Sequence, residues 1–327
     1  MMDLLRGVGK EMKTMAYPIK LDEMATPAIQ LPGEMLNPLR VELLTDSMEA
    51  EVLNFLGARP LHTVVMTGFI RDNGLESPFN RGAFYACRSA GGQLEGVALI
   101  GHVILVEARG VAALKAFARL AQTYPRAHMT MGEQERVACF WSYYAEGGLA
   151  PRRLCRELLF EQRWVEGPHD LVRGLRQANL DDLPLVMPVH AEMAAAESGI
   201  NPLESDPAGF RLRLARRIEQ GRVWVWVRDG RLIFKADVIS ETPEVNYLEG
   251  VYVNPSERGQ GYGLRCMSHL SRILLARTKA LCLLVNEENQ EAINLFYRAG
   301  YKVSSYYDTI FLQQQSISSF ELKTACS

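Results

Sequence analysis

The stretch "VYVNPSERGQGYG", residues 251–263, decides the fold: an alternating apolar segment runs into an arginine and then three glycines within five positions. Val251 and Val253 recur with the period of a strand, and a helical pattern continues from about 262 to 278. A strand that enters a helix through such a turn leaves the helix's first N–H groups without acceptors and positively polarised, so the corner attracts an anion. Gly259, Gly261 and Gly263 remove the Cβ wall and permit unusual φ, and Arg258 can add a charge-assisted bond. Spacing excludes two other phosphate loops. No G-K-[ST] follows, and position 264 is Leu, where a dinucleotide fingerprint needs Gly or Ala.

Around this stretch lie 327 residues, too many for one ordinary core and enough for two domains of about 150 each. Hydrophobic residues make up 48% and charged residues 23%, the proportions of a globular protein. The net charge of -2 gives no reason to expect a nucleic-acid or anionic-membrane partner. Cys87, Cys139, Cys155, Cys266, Cys282 and Cys326 stand singly, without metal or disulfide spacing, and read as reduced thiols. No secretory signal and no run of 18 apolar residues is visible, so the cytoplasm is the expected compartment.

The chain reads as an arm over 1–39, a first domain over 40–167 and a second over 168–327, with the seam at "EGPHD" (166–170). In the first domain, 62–70, 83–89, 94–101 and 102–108 are strand-like, followed by a helix at 111–122, a strand at 127–132 and a helix at 134–146. The second begins with a strand at 171–178, then a helix at 182–199 stopped by Gly199 and another at 206–221 with Asp206 as N-cap and Pro207 at its first position. A hairpin at 222–239 turns on Asp229-Gly230; strands at 245–253, 281–286 and 305–312 follow, with helices at 262–278 and 289–299 between them. "LEGV" occurs at 94–97 and 248–251, but the two copies are out of phase. The order of elements, not these letters, suggests duplication.

R-x-x-G-x-G (Arg258, Gly261, Gly263) after V-x-V-x-P (Val251, Val253, Pro255) resembles the coenzyme A pyrophosphate loop of the Gcn5-related N-acetyltransferases (GNAT). "NQEAINLFYRAGY" (289–301) is similar to that family's later N-x-x-A-x-x-x-Y-x-x-x-G-[FY] helix. The resemblance covers about 170 to 315, and the first half is similar to the degenerate acetyltransferase-like domain that precedes the catalytic one in some bacterial members. It implies an α/β fold of tandem GNAT-like domains, each a mixed, mostly antiparallel central sheet flanked by helices. "EARGVAALKAF" (107–117) keeps one Arg-Gly pair without the later glycines, so the first domain reads as a scaffold or substrate wall.

The implied activity is direct transfer of an acetyl group from acetyl-CoA to a primary amine, on a small molecule or a protein, in a ternary complex. No metal is expected, and a homodimer is allowed. Attack requires a neutral amine, hence a base; the thioester oxygen needs a donor; the leaving thiolate needs a proton or stabilisation. The resemblance to the "YLED" strand of polyamine-acetylating relatives makes Glu249, in "YLEGVYV", the expected base, with Glu197 in reserve. It further implies the backbone of Val251, Tyr252 and Val253 along the pantetheine, with the Val253 N–H as oxygen donor. Arg258, Gly259, Gln260, Gly261, Tyr262, Gly263 and Leu264 would surround the pyrophosphate, and Asn289 would contact the pantetheine or adenosine portion.

The family's tyrosine falls on Phe296, with Tyr297 next to it. One position turns a helical side chain by about 100°. Either Tyr297 supplies the leaving-group acid from a shifted helix, or the thiolate leaves unaided and Phe296 packs on the coenzyme. Trp224 and Trp226 read as core or pocket wall, Cys266 as packing, and His190 and His269 lack partners at metal-ligand spacing. A non-catalytic acyl-CoA sensor and an adaptor that keeps only the fold are the rival readings.

Overall fold

The Asp229-Gly230 pair turns as its sequence dictates: both residues have positive φ, 49° and 72°, which lets the turn follow the twist of its strands. A computed structural model describes residues 39–165 and 171–313. The expected arm (except its last residue) and the seam at 166–170 lie outside the described residues.

The first half runs β1 (Arg40–Leu43), α1 (Glu49–Leu56), α2 (Pro60–Asn73), β2 (Gly82–Arg88), β3 (Leu94–Gly101), β4 (Val103–Ala108), α3 (Val111–Ala121), β5 (Met129–Glu133), α4 (Gln134–Tyr144) and β6 (Pro151–Gln162). The second runs β7 (Leu175–Gln177), α5 (Leu183–Ser198), α6 (Pro202–Ser205), α7 (Pro207–Glu219), β8 (Val223–Arg228), β9 (Arg231–Glu241), β10 (Val245–Val253), α8 (Tyr262–Leu275), β11 (Ala280–Asn286), α9 (Gln290–Arg298) and β12 (Lys302–Leu312). The two halves repeat one programme, apart from an extra short helix in the second. Under this match β3 corresponds to β9 and β4 to β10, so the two "LEGV" copies are indeed on non-equivalent strands.

All twelve described strands form one sheet, in the order β1-β2-β3-β4-β5-β12-β6-β11-β10-β9-β8-β7. Only β4–β5 and β10–β11 pair in parallel, so the fold is the mixed, mostly antiparallel α/β architecture expected. The last strand of each half is exchanged. β12 pairs with β5 of the first half, β6 pairs with β11 of the second, and the two exchanged strands pair antiparallel with Tyr307 opposite Glu157. Phe160 of β6 is fully buried in the core beneath α8 and α9, beside Leu283, Phe296 and Tyr301. The described residues, 39–165 and 171–313, accordingly belong to one compact unit.

Two expectations fail for physical reasons. Residues 62–70, with their β-branched run, lie inside α2. Pro60 presets the first helical turn, and Val64 packs against Tyr247 and Cys282 of the second half, so tertiary burial overrides strand propensity. The strand expected over 171–178 shortens to β7, while β6, not anticipated at all, is 12 residues long.

Because the exchange ties both cores together, Phe160→Ala is expected to lower stability by about 3–5 kcal/mol while keeping a single unfolding transition. Denaturant unfolding monitored by tryptophan fluorescence and circular dichroism checks this; two separated transitions would contradict it.

Candidate active site

β10 and β11 pair over Val245–Leu248 and Ala280–Leu283, then lose each other. β11 stays on β6 to Asn286 and β10 stays on β9 to Val253, so the two parallel strands splay into a V. The register of β10 slips between Glu249 and Tyr252, and Gly250 sits at φ +60°. Lys235 of β9, fully buried, donates its ammonium to the Gly250 carbonyl at 3.1 Å and pairs with Asp237 at 2.9 Å. A Cβ on Gly250 would come within 2.7 Å of that ammonium, so glycine is required by both conformation and contact. His190 and Arg217 approach the same Asp237 carboxylate at 3.1 and 3.4 Å. Burial works against the Asp237 charge, but Lys235 and its other partners hold the carboxyl below the usual range. Burial also lowers His190, which favours its neutral form.

The glycine corner is open. Gly261, at φ +75°, is the residue before α8 and supplies no side-chain cap, and Gly259 sits at φ +77°. A Cβ at either position would meet no atom within 4 Å. The backbone amides of 259–264 have no acceptor among the described residues; the first bond of the helix runs from the Arg265 amide to the Gly261 carbonyl. Gly263 has a packing task as well: it is buried, and a Cβ there would meet Val253 Cγ2 at 3.1 Å, so it lets α8 lie close on β10. Arg258, exposed, donates from Nε to the Val253 carbonyl at 3.3 Å. Tyr262 packs edge-on to Trp226, with rings 5.0 Å apart, and accepts from Arg228. Gln260 and Leu264 flank the corner, one exposed and one half-buried.

Glu249 lies at the bulge with its side chain open to solvent from the V, yet protein crowds it closely enough to raise its carboxyl above the ordinary carboxylate range. Glu197, at the end of α5, is pushed up to about 8, first by desolvation and then by the Glu249 and Glu157 charges. Glu157 of β6 is raised to about 7 by burial, although the Thr309 hydroxyl donates to it. The sequence reading missed Glu157. It missed Lys235 and Asp237 as well, which lie in a stretch legible only as a hairpin strand.

Phe296 and Tyr297 take opposite environments on α9. Phe296 is 4% exposed and packs in the core between Phe160 and Tyr301. Tyr297 is 52% exposed and rests edge-on against the Phe160 ring. Asn289 is the N-cap of α9, its Oδ1 accepting from the Ala292 amide at 3.1 Å. Cys266 and Trp224 are core residues, as expected.

The equivalent V of the first half is filled by its own charges. Beyond the last β4–β5 pair, Ile104 with Thr130, stand Glu107 and Glu133. Arg59 binds both carboxylates and Arg136 reaches them at 3.2 and 3.1 Å. Tyr307, turned inward from β12, bonds His62 at 2.9 Å. A cavity of about 50 Å³ remains beside this network, lined by Leu61, Leu114, Phe140 and Leu284. Among the described residues no cluster of His, Cys, Asp and Glu could hold a metal ion, and no helix is long and apolar enough to cross a membrane.

Comparisons with known proteins agree with this geometry. Residues 190–301 match the acetyltransferase (GNAT) family, and this segment of the chain is a GNAT domain. No curated protein matches the sequence. The fold is similar to a Gcn5-related N-acetyltransferase from Sphaerobacter thermophilus, at 12% identity and TM-score 0.57, covering 85% of this chain and 97% of that one. It is similar also to a tandem GNAT protein from the clavulanic acid biosynthesis pathway, at 14% identity and TM-score 0.53, covering 85% and 100%. A GNAT-family acetyltransferase from Colwellia psychrerythraea gives 10% identity and TM-score 0.53 over 84% and 100%.

Glu157 and Glu197 bind protons more tightly folded than unfolded, so from the ordinary 4.5 up to about 8 the folded state holds the excess protons and stability falls as pH rises. Glu197→Gln removes part of that slope. Melting temperature measured across this range, for wild type and variant, checks the sign; identical slopes would refute it.

Proposed function

We propose that this chain is an acyl-CoA-dependent N-acyltransferase that moves an acetyl group from acetyl-CoA directly to a primary amine, both held together in the V between β10 and β11. The supporting observation is the row of open amides at 259–264, at the positive end of α8 and beside glycines whose missing side chains leave room. These amides and Arg258 would hold the pyrophosphate, and Val251–Val253 would accept the pantetheine as an added strand. Acetyl-CoA, once bound, supplies the acyl group.

The chain's own residues then do three things. Glu249 takes a proton from the incoming ammonium, and burial by the surrounding protein raises its proton affinity in the direction a base needs. The Val253 amide steadies the thioester oxygen. Nothing in the Tyr297 environment brings it into the V, so in this reading the thiolate departs without a tyrosine acid, which a thiol pKa of about 8.5 permits. The transfer domain is the part from 168 onward, and the part from 40 to 167 is its scaffold and wall, working in the cytoplasm. The buried Phe296 and outward Tyr297 favour one rival, an acyl-CoA sensor without catalysis.

Acetyl-CoA is expected to raise the melting temperature of the wild type, and Gly261→Val to weaken its binding at least about tenfold, because a branched residue is strained at this φ and covers the amides. Glu249→Gln should keep that binding and lose about 100-fold or more in thiol release over an amine panel. Binding without turnover in the wild type would favour the sensor; unchanged affinity in Gly261→Val would remove the loop assignment.

A further inference from the structure

Glu249 lies opposite Asp237 and Tyr252 lies opposite Lys235, so β10 takes three steps where β9 takes two. The extra residue turns the strand over. A regular strand would put Val251 and Val253 on the same face as Glu249. Instead Val251 and Val253 pack against the core beneath α8 and α9, and Tyr252 packs against the one beneath α5 and α7. The backbone past the slip is aimed accordingly. The Asn254 amide donates to the Ile233 carbonyl of β9 at 2.9 Å, so by alternation the Val253 amide points to the opposite edge, into the V.

A side chain of β9 holds the slip in place. Lys235 is fully buried, and its ammonium reaches the Gly250 carbonyl at 3.1 Å. It also stands near enough to Glu249 to weigh against protonation of that carboxyl. Asp237 holds the ammonium at 2.9 Å and is contacted in turn by His190 of α5 and Arg217 of α7. α5 is itself fastened at its end, where Arg153 of β6 donates to the Ala196 carbonyl at 2.9 Å and Arg152 to that of Ser198. A bulge locally disrupts the hydrogen-bond ladder, so its peptides lack the restraint of a regular strand. A charge-assisted donor on the Gly250 carbonyl supplies that restraint.

We propose that Lys235 is a positioning residue for acyl transfer: through the Gly250 carbonyl it fixes the Glu249 carboxylate relative to the Val253 amide across the slip. This rests on the transferase reading above. Lys235 itself touches neither substrate. It sets where the base and the oxygen donor stand, while the amides at 259–264 lie past the end of β10 and hold the coenzyme independently of it.

The test compares wild type, Lys235→Met and the double variant Lys235→Met/Asp237→Asn. Melting temperature, its rise with acetyl-CoA, and kcat and KM for thiol release with n-butylamine, 1,4-diaminobutane and a lysine-containing peptide are measured, each at the variant's own pH optimum. Met keeps the length of the lysine chain without its donor. Lys235→Met is expected to lower kcat by about tenfold to 100-fold, the scale of an ångström of misplacement, with KM for acetyl-CoA and the stabilisation by acetyl-CoA near wild type. It should also lower the melting temperature, because Asp237 loses a buried partner. Removing the Asp237 charge as well should return the melting temperature towards wild type without returning kcat, and this variant carries the test if the single one does not fold. Unchanged kcat in Lys235→Met, recovery of kcat together with stability in the double variant, or a rise in KM with kcat kept would overturn the proposal with the transferase intact. Absence of acetyl-CoA stabilisation or of thiol release in wild type would instead bring down the transferase reading, and this proposal with it.

Discussion

At the centre of the sheet, β6 and β12 lie antiparallel, each hydrogen-bonded on its other edge to the half of the chain it does not come from. The other features depend on this exchange. A parallel pair such as β10–β11 can splay only if each strand is held firmly elsewhere. β9 holds β10, and the exchanged β6 holds β11 along six residues from Leu281 to Asn286. Without β6, β11 would have an open edge on one side and a diverging partner on the other, and the V would have no rigid wall.

The buried Lys235–Asp237 pair acts on the other side of the V. Its geometry suits a positioning role better than a stabilising one. Burying two charges costs about as much as their attraction returns, so such a pair is weak evidence for stability. What it does provide is a donor aimed at the Gly250 carbonyl, which fixes the slip in β10 that separates the Glu249 side chain from the Val251–Val253 backbone. Replacing Lys235 with an apolar residue would leave that carbonyl without its donor and the Asp237 carboxylate with only His190 and Arg217. The same side chain thus joins the core to the cleft.

Local chemistry was legible in the sequence, and long-range pairing was not. The Asp229-Gly230 turn, the Asp206 cap, which accepts from the Gly209 amide, and Gly199 closing α5 in the left-handed region were all readable because each signal lies within a few residues. So was the open turn at Gly259 and Gly261, while the close packing of Gly263 on Val253 was not. α2 was misread because its β-branched run is buried by strands of the other half, a partner that no local pattern announces. β6 went unseen because its residues answer to two environments: Phe160 faces a core, while Glu157 faces a cleft. Charged residues at cleft positions disturb the alternation on which strand reading relies. Phe296 and Tyr297 were ambiguous from sequence because one helical step separates core from solvent; the Phe160 ring, supplied by the exchanged strand, packs on both.

The exchange also shows what the first half contributes to a second half that carries the open glycine corner. In the first half's own cleft, Arg59 and Arg136 pair with Glu107 and Glu133. The last strand of that half supplies Phe160 to the second core, the two arginines that fasten α5, and the Glu157 carboxylate. Phe160 cannot be removed without exposing apolar surface, nor Arg152 and Arg153 without freeing a wall of the V. Filling the first cleft with arginine–glutamate pairs has a further effect, because it fixes β5, and through β5 it fixes β12, the strand against which β6 is registered. A neutralised cleft in one half therefore keeps rigid the frame on which the charged cleft of the other half is built.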